Sequence, residues 1–137
     1  MSERKVSKRH LARELALKHL YAMQLGGEKV LLMDNELYDK EYYEQLITHV
    51  LVRSQEWDDY IRPCLVEDNL EEITQIDRAI LWIGVYELKD RPEIPWRVII
   101  NEAVELAKNF GAQDSFKMIN AVLDRLSVEF RKVERSK

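Results

Sequence analysis

The chain has 137 residues, 46% hydrophobic and 34% charged, with four Gly, three Pro, one Cys and a formal net charge of −4. This is the size of one domain with one core, too poor in Gly and Pro for a hairpin-rich fold, so helices are expected. A lone Cys64 excludes an intramolecular disulfide and is too few for structural zinc; no apolar run approaches the roughly 20 residues that cross a bilayer, and the N-terminus lacks a signal-peptide core. A cytoplasmic protein is expected.

The charge is segregated. Residues 1–18 hold six Lys or Arg against two acids, a balance of +4, so residues 19–137 carry −8. Residues 1–6 read as a flexible lead-in. From Ser7, a plausible N-cap, to about Leu25, the apolar Leu11, Ala12, Leu15, Ala16, Ala22 and Met23 share one side of a 3.6-residue helix. Lys5, Arg9 and Arg13 recur every four residues along the edge of that face, and Gly26-Gly27 ends the element.

An acidic stretch from Asp34 to Glu44 precedes Tyr43, Leu46, Ile47, Val50, Leu51, Ser54 and Trp57, which predict one long amphipathic helix. It is expected to break at Arg62, which Pro63 pushes away from helical dihedrals. Thr74-x-x-Asp77 reads as a capping-box variant, and the following AILWIGVYEL is apolar nearly all round, as at the centre of a bundle. Pro92 and Pro95 delimit a loop, with Pro95 placed to open a helix whose buried candidates are Ile99, Ile100, Ala103, Leu106, Ala107 and Phe110, closed by Gly111 at C′. Asp114 or Ser115 caps a last helix with core spacing at Phe116, Ile119, Leu123, Leu126 and Phe130. The tail from Arg131 to Lys137 is polar and is expected to fray, with residues 132–137 flexible. The whole reads as one all-α domain over residues 1–137.

Catalysis has no visible carrier. His10, His19 and His49 make no zinc spacing and suit surface or boundary roles. NFGAQDS has one glycine, too few for a phosphate cradle. The acid pairs Asp58-Asp59 and Glu71-Glu72 point about 100° apart on a helix and suit solvated surface, and Cys64 suits packing. No metal, cofactor or enzymatic activity is expected.

The basic edge differs, because cations at a helix N-terminus oppose the macrodipole. A polyanion is their natural partner, although plain surface decoration explains the stripe equally well on its own. The Leu/Ala apolar face lacks the Trp or Phe anchors of a membrane helix, and an acidic chain is a poor duplex binder. A modest basic patch with Tyr21 nearby suits single-stranded nucleic acid.

Three stretches, RHLARELALKHLYAMQ, IDRAILWIGVYEL and above all IPWRVIINEAVELAKNFGAQDSFKMINAVLD, resemble the NusB family of bacterial transcription antitermination factors. The resemblance implies an all-α helical bundle of two small subdomains that binds single-stranded boxA RNA of nascent ribosomal RNA transcripts. It also implies pairing with NusE, a small-subunit ribosomal protein, and indirect association with RNA polymerase and other Nus factors, promoting processive transcription and rRNA maturation. Both monomers and homodimers occur in the family. By position the RNA-binding residues would be Lys8, Arg9, His10, Arg13 and Tyr21, with Gln113, Asp114, Ser115, Lys117 and Met118; the NusE-facing ones would be Glu14, Tyr21 and Asp77.

His10 and Leu11 stand where relatives carry further arginines. Met118 and Ala121 replace an aromatic and a glycine of the family motif. Asn101 and Asn120 are expected to satisfy buried backbone groups, and Asp124 to pair locally. Two alternatives stay open: the NusB-like domain of an rRNA cytosine methyltransferase, and a purely protein-binding helical module.

Overall fold

A computed structural model describes residues 7–26 and 37–136. The expectations for the lead-in 1–6 with Lys5, for Gly27, for the acids up to Glu36 and for Lys137 lie outside the described residues. Among the described residues seven α-helices follow in order: α1 (Lys8–Gln24), α2 (Lys40–Val50), α3 (Ser54–Ile61), α4 (Gln75–Asp90), α5 (Trp96–Phe110), α6 (Ser115–Phe130) and the one-turn α7 (Lys132–Arg135). No strand occurs among the described residues.

The helix starts follow local chemistry. Ser7 Oγ accepts the His10 N–H at 3.0 Å to cap α1, and Asp39 accepts the Tyr42 N–H at 3.0 Å to cap α2. Gly26, at φ 70°, turns the chain out of α1 in the left-handed region open to glycine. Pro95 precedes α5, where its missing N–H costs nothing.

The single long helix expected from Tyr43 to Pro63 is instead two, α2 and α3, separated by a turn at residues 51–53. The break is stable because the buried Trp57 indole donates to the Val50 carbonyl at 2.8 Å, satisfying an acceptor freed at the end of α2. Nor does the chain leave helical dihedrals at Arg62 (φ −48°, ψ −50°). Pro63 is absorbed into a tight 3₁₀ turn, Arg62–Cys64, and extension comes at Leu65.

α4 is the central element, buried at every residue from Ala79 to Leu88. It packs against α1, α2, α3, α5 and α6, so the groups α1–α3 and α4–α6 share one hydrophobic cluster. A Cβ on Gly84 would lie 2.7 Å from Leu123 Cδ1, which shows how closely α4 and α6 approach.

Two polar residues expected in solvent are structural. Asp58 is buried and takes the Arg78 guanidinium at 2.6 Å and the Trp82 indole N–H at 2.8 Å, while Asp59 stays exposed as expected. Arg131, read as the start of a fraying tail, is buried. It donates to the carbonyls of Leu88 (2.8 Å), Glu87 (3.0 Å), Arg91 (3.0 Å) and Ile94 (2.8 Å), at and just beyond the end of α4. The reverse also occurs: Asn101 and Asn120 are exposed, so they satisfy no buried groups. Asp124 pairs locally, with Arg135 at 2.9 Å.

Candidate nucleic-acid interface

α1 and α5 lie side by side in the same direction. His10 near the start of α1 bonds Glu102 of α5, and eight residues further on the Lys18 ammonium sits 5.5 Å from the Phe110 ring centroid. The edge presented between them differs from the one drawn by four-residue spacing.

Arg13 is the main correction. It is only 2% exposed, and its Nε donates to Glu87 Oε2 at 2.9 Å, with Glu102 at 3.8 Å. Glu87, 1% exposed, also accepts the Tyr42 hydroxyl. Burial opposes the charge on Arg13, but the Glu87 carboxylate overcomes it and holds the guanidinium pKa above its ordinary value. Burial likewise pushes the Tyr42 phenol far up, so it remains a donor to Glu87. Arg13 is therefore a core ion pair and does not face RNA.

His10 is also occupied. Its ring lies between Glu14, at 3.0 Å from Nε2, and Glu102 on Nδ1. Lys8 is exposed, and the half-buried Arg9 lies against the Tyr42 ring, 4.3 Å from its centroid.

The second group of expected residues surrounds the α5–α6 turn, built on the other corrected residue. Asp77, 2% exposed, accepts the Thr74 hydroxyl (2.9 Å), the Ala112 N–H (3.2 Å) and the Ser115 hydroxyl (2.8 Å). It thus pins the turn to the start of α4 and offers no surface to NusE. Its own N–H goes to Thr74 Oγ1 at 3.2 Å, so half of the capping box forms as expected while the carboxylate serves the turn. Gly111 is needed here for space: its φ of −80° is ordinary, but a Cβ would collide with the Asp77 carboxylate and lie 2.6 Å from Ser115 Oγ. Asp114 precedes α6 in the left-handed region, φ 62°, with no side-chain cap bond.

Gln113, Asp114 and Lys117 are exposed on this turn; Ser115 and Met118 are half-buried. Gln24 donates to the Gln75 carbonyl at 3.0 Å, tying the end of α1 to the start of α4, where Asp77 holds the turn. Tyr21, 39% exposed, lies three residues beyond Lys18.

The sequence reading missed four contributors to this face. Lys18 lies over Phe110, while Lys108 and Lys117 lie 5.1 and 5.9 Å from the Phe116 centroid. Phe110 has core spacing but is 36% exposed, because it is the last residue of α5 and the core has ended there. Its place directly before Gly111 and a polar turn was the available signal. Ammonium groups over the exposed Phe110 and the half-buried Phe116 form a surface on which bases can stack and phosphates can be neutralised.

Among the described residues no group of three His, Cys, Asp or Glu is placed to hold a metal, and no helix is long and apolar enough to cross a membrane. Cys64 is half-buried with its thiol pushed up by burial, and donates to the Tyr60 carbonyl at 3.6 Å.

Fold and surface together define an all-α helical protein with lysines set over aromatic rings at the α1, α5 and α6 surface. The model of the NusB family matches residues 10–127, and the chain belongs to that family. It is 41% identical to the transcription antitermination protein NusB of Alcanivorax borkumensis, over 95% of this chain and 91% of the relative. Against the NusB of Thiobacillus denitrificans it is 42% identical, over 92% of both. A solved structure of T. maritima NusB superposes with a TM-score of 0.77 at 30% identity, covering 91% of this chain and 94% of that one. These relatives carry the name of antitermination proteins and not of enzymes.

Proposed function

We propose that this protein is a transcription antitermination factor that binds single-stranded boxA RNA of nascent ribosomal transcripts. It acts as a heterodimer with NusE, reaching RNA polymerase and other Nus factors through that complex to favour processive transcription and rRNA maturation. The observation that carries the reading is the lysine–aromatic surface of Lys18, Phe110, Lys108, Phe116 and Lys117, beside Tyr21 and the turn residues Gln113, Asp114, Ser115 and Met118. Lys8 and Arg9 extend the positive charge along α1. The names of the relatives support the antitermination role.

In this reading His10 and Glu14 border the RNA path, with the His10 ring held between Glu14 and Glu102. The acidic remainder of the chain suits a basic protein partner. Glu14 and Tyr21 remain the expected NusE-side contacts. A homodimer that covers the same face would compete with RNA.

Fluorescence anisotropy with boxA RNA and a scrambled RNA of equal length, with and without NusE, tests the reading. The expected result is preference for boxA, a log–log salt slope of roughly −0.7 per neutralised phosphate, and tighter binding with NusE through thermodynamic coupling. Equal binding to both RNAs, or none to either, would overturn it.

A further inference from the structure

We infer that the far end of α6 is a docking groove for an amphipathic helix of a partner protein, one whose apolar stripe is bordered by an acid, a base and an acid in turn. The end of α3, the Arg62–Cys64 turn and the second half of α6 enclose a cleft of about 580 Å³ floored by Tyr60, Pro63, Cys64, Leu126 and Val128. It shares Glu129 and Lys132 with a second cleft of about 400 Å³, lined by Pro92, Phe130 and Val133 where α6 passes into α7. Tyr60 and Phe130 meet edge to face, 5.0 Å between ring centroids, so one aromatic pair joins the two clefts.

Apolar side chains stay open to water here. Val128 is 53% and Val133 74% exposed, and Tyr60, Cys64 and Phe130 are only half-buried. Contiguous apolar surface of this kind marks a place where another molecule docks. Its walls are helices and a 3₁₀ turn, so no strand edge is offered to an extended peptide. A helix brings its own backbone hydrogen bonds into an apolar groove, which an extended chain does not.

The charges on the rim select the occupant. Arg125, Glu129 and Lys132 follow one another on the α6 and α7 side, and Asp59 stands on the α3 side. Among the described residues the side chains of Glu129 and Lys132 make no hydrogen bond or ion pair. Asp59 takes only the Gln55 amide at 3.0 Å, and Arg125 uses one N–H on the Pro63 carbonyl at 2.8 Å. A partner that covers the floor matches this rim with carboxylates opposite Arg125 and Lys132 and a cation opposite Glu129 and Asp59. RNA, negative throughout, would leave both acids without a countercharge. Lys117 precedes Val128 by eleven residues, about 16 Å along α6 at 1.5 Å per residue, so the groove fills without covering the lysine–aromatic face.

Fluorescein-labelled helical peptides test this by anisotropy against the full chain. All carry Leu at i, i+4 and i+7; the first is flanked by Glu, Lys, Glu, the second by Lys, Glu, Lys, and a third scrambles the first. The first should bind, the second several-fold more weakly and the third not at all. Glu129→Lys combined with Lys132→Glu, both at exposed positions, should reverse the order of the first two. Val128→Asp should abolish binding with an unchanged circular dichroism spectrum, and the charge reversal carries the test by itself if that variant does not fold. Cys64, the only thiol of the chain, should react more slowly with a maleimide when the first peptide is bound. Equal binding of the first two peptides, no binding of the first, or the wild-type order in the charge-reversed variant overturns the inference. Self-association of the protein that Val128→Asp removes also overturns it, by giving the groove to a second copy.

Discussion

Replacing Arg13 by Ala is expected to unfold the protein's core connection between α1 and α4 long before it bears on any ligand. The guanidinium is 2% exposed and bonds a carboxylate that is 1% exposed, so its removal leaves Glu87 with the Tyr42 hydroxyl but no countercharge. Breaking such a buried pair from one side costs about 3–5 kcal/mol. A chain of 137 residues unfolds with an entropy near 0.3 kcal/mol per kelvin, so the melting temperature should fall by roughly 10–17 °C. Thermal unfolding followed by circular dichroism reads this directly. Replacing Arg13, Tyr42 and Glu87 together by Met, Phe and Leu removes all three polar partners and should recover most of the loss. The reasoning fails if Arg13→Ala shifts the melting temperature by less than about 3 °C, or if it weakens RNA binding in a protein of wild-type stability. Arg13→Glu is accordingly a fold-breaking change and a poor probe of RNA contact.

Lys18→Gln and Phe110→Ala, both on exposed side chains, should weaken boxA binding while leaving the melting temperature within a degree or two, and Lys18→Gln should reduce the salt slope by roughly 0.7; unchanged affinity in both would remove this face from the RNA path. Gly111→Ala drives a methyl into the Asp77 carboxylate and should cost about 1–3 kcal/mol in urea unfolding, a neutral result showing that the turn can shift. Asp77→Asn weakens the acceptor for Thr74, Ala112 and Ser115, and is expected to destabilise by about 1–3 kcal/mol and to raise amide exchange at residues 111–115. Burial lowers the His19 pKa, so as pH falls below about 6.5 the unfolded chain takes up its proton first and stability declines. His19→Gln should show a shallower decline over that range, and parallel curves would contradict the assignment.

Local chemistry was legible in the sequence: Ser7, Thr74 and Pro95 mark helix starts because a cap acts within three residues of itself. The buried stripe of α5 from Ile99 to Ala107 and the all-round burial of α4 follow from periodicity. What stayed hidden depends on partners distant in sequence. Arg13 and its acceptor Glu87 are 74 positions apart, and spacing alone cannot distinguish a cation at the margin of an apolar face from one folded beneath it. The family resemblance places Asp77 toward NusE, whereas its three acceptor bonds, spread between residues 74 and 115, bury it in the turn. Phe110 failed in the other direction, since periodicity carries no information about where the neighbouring helices stop.

Arg131 bears on the order in which the protein can be completed as it is made. Synthesis proceeds from the N-terminus, so the whole of α4 exists while the side chain that closes its end is still 43 residues from being added after Leu88. Until then the Leu88 and Ile94 carbonyls lack this donor, and those of Glu87 and Arg91 have only the backbone N–H groups of Arg91 and Ile94. The last turn of the most buried helix is thus sealed by a side chain that emerges 43 residues after Leu88.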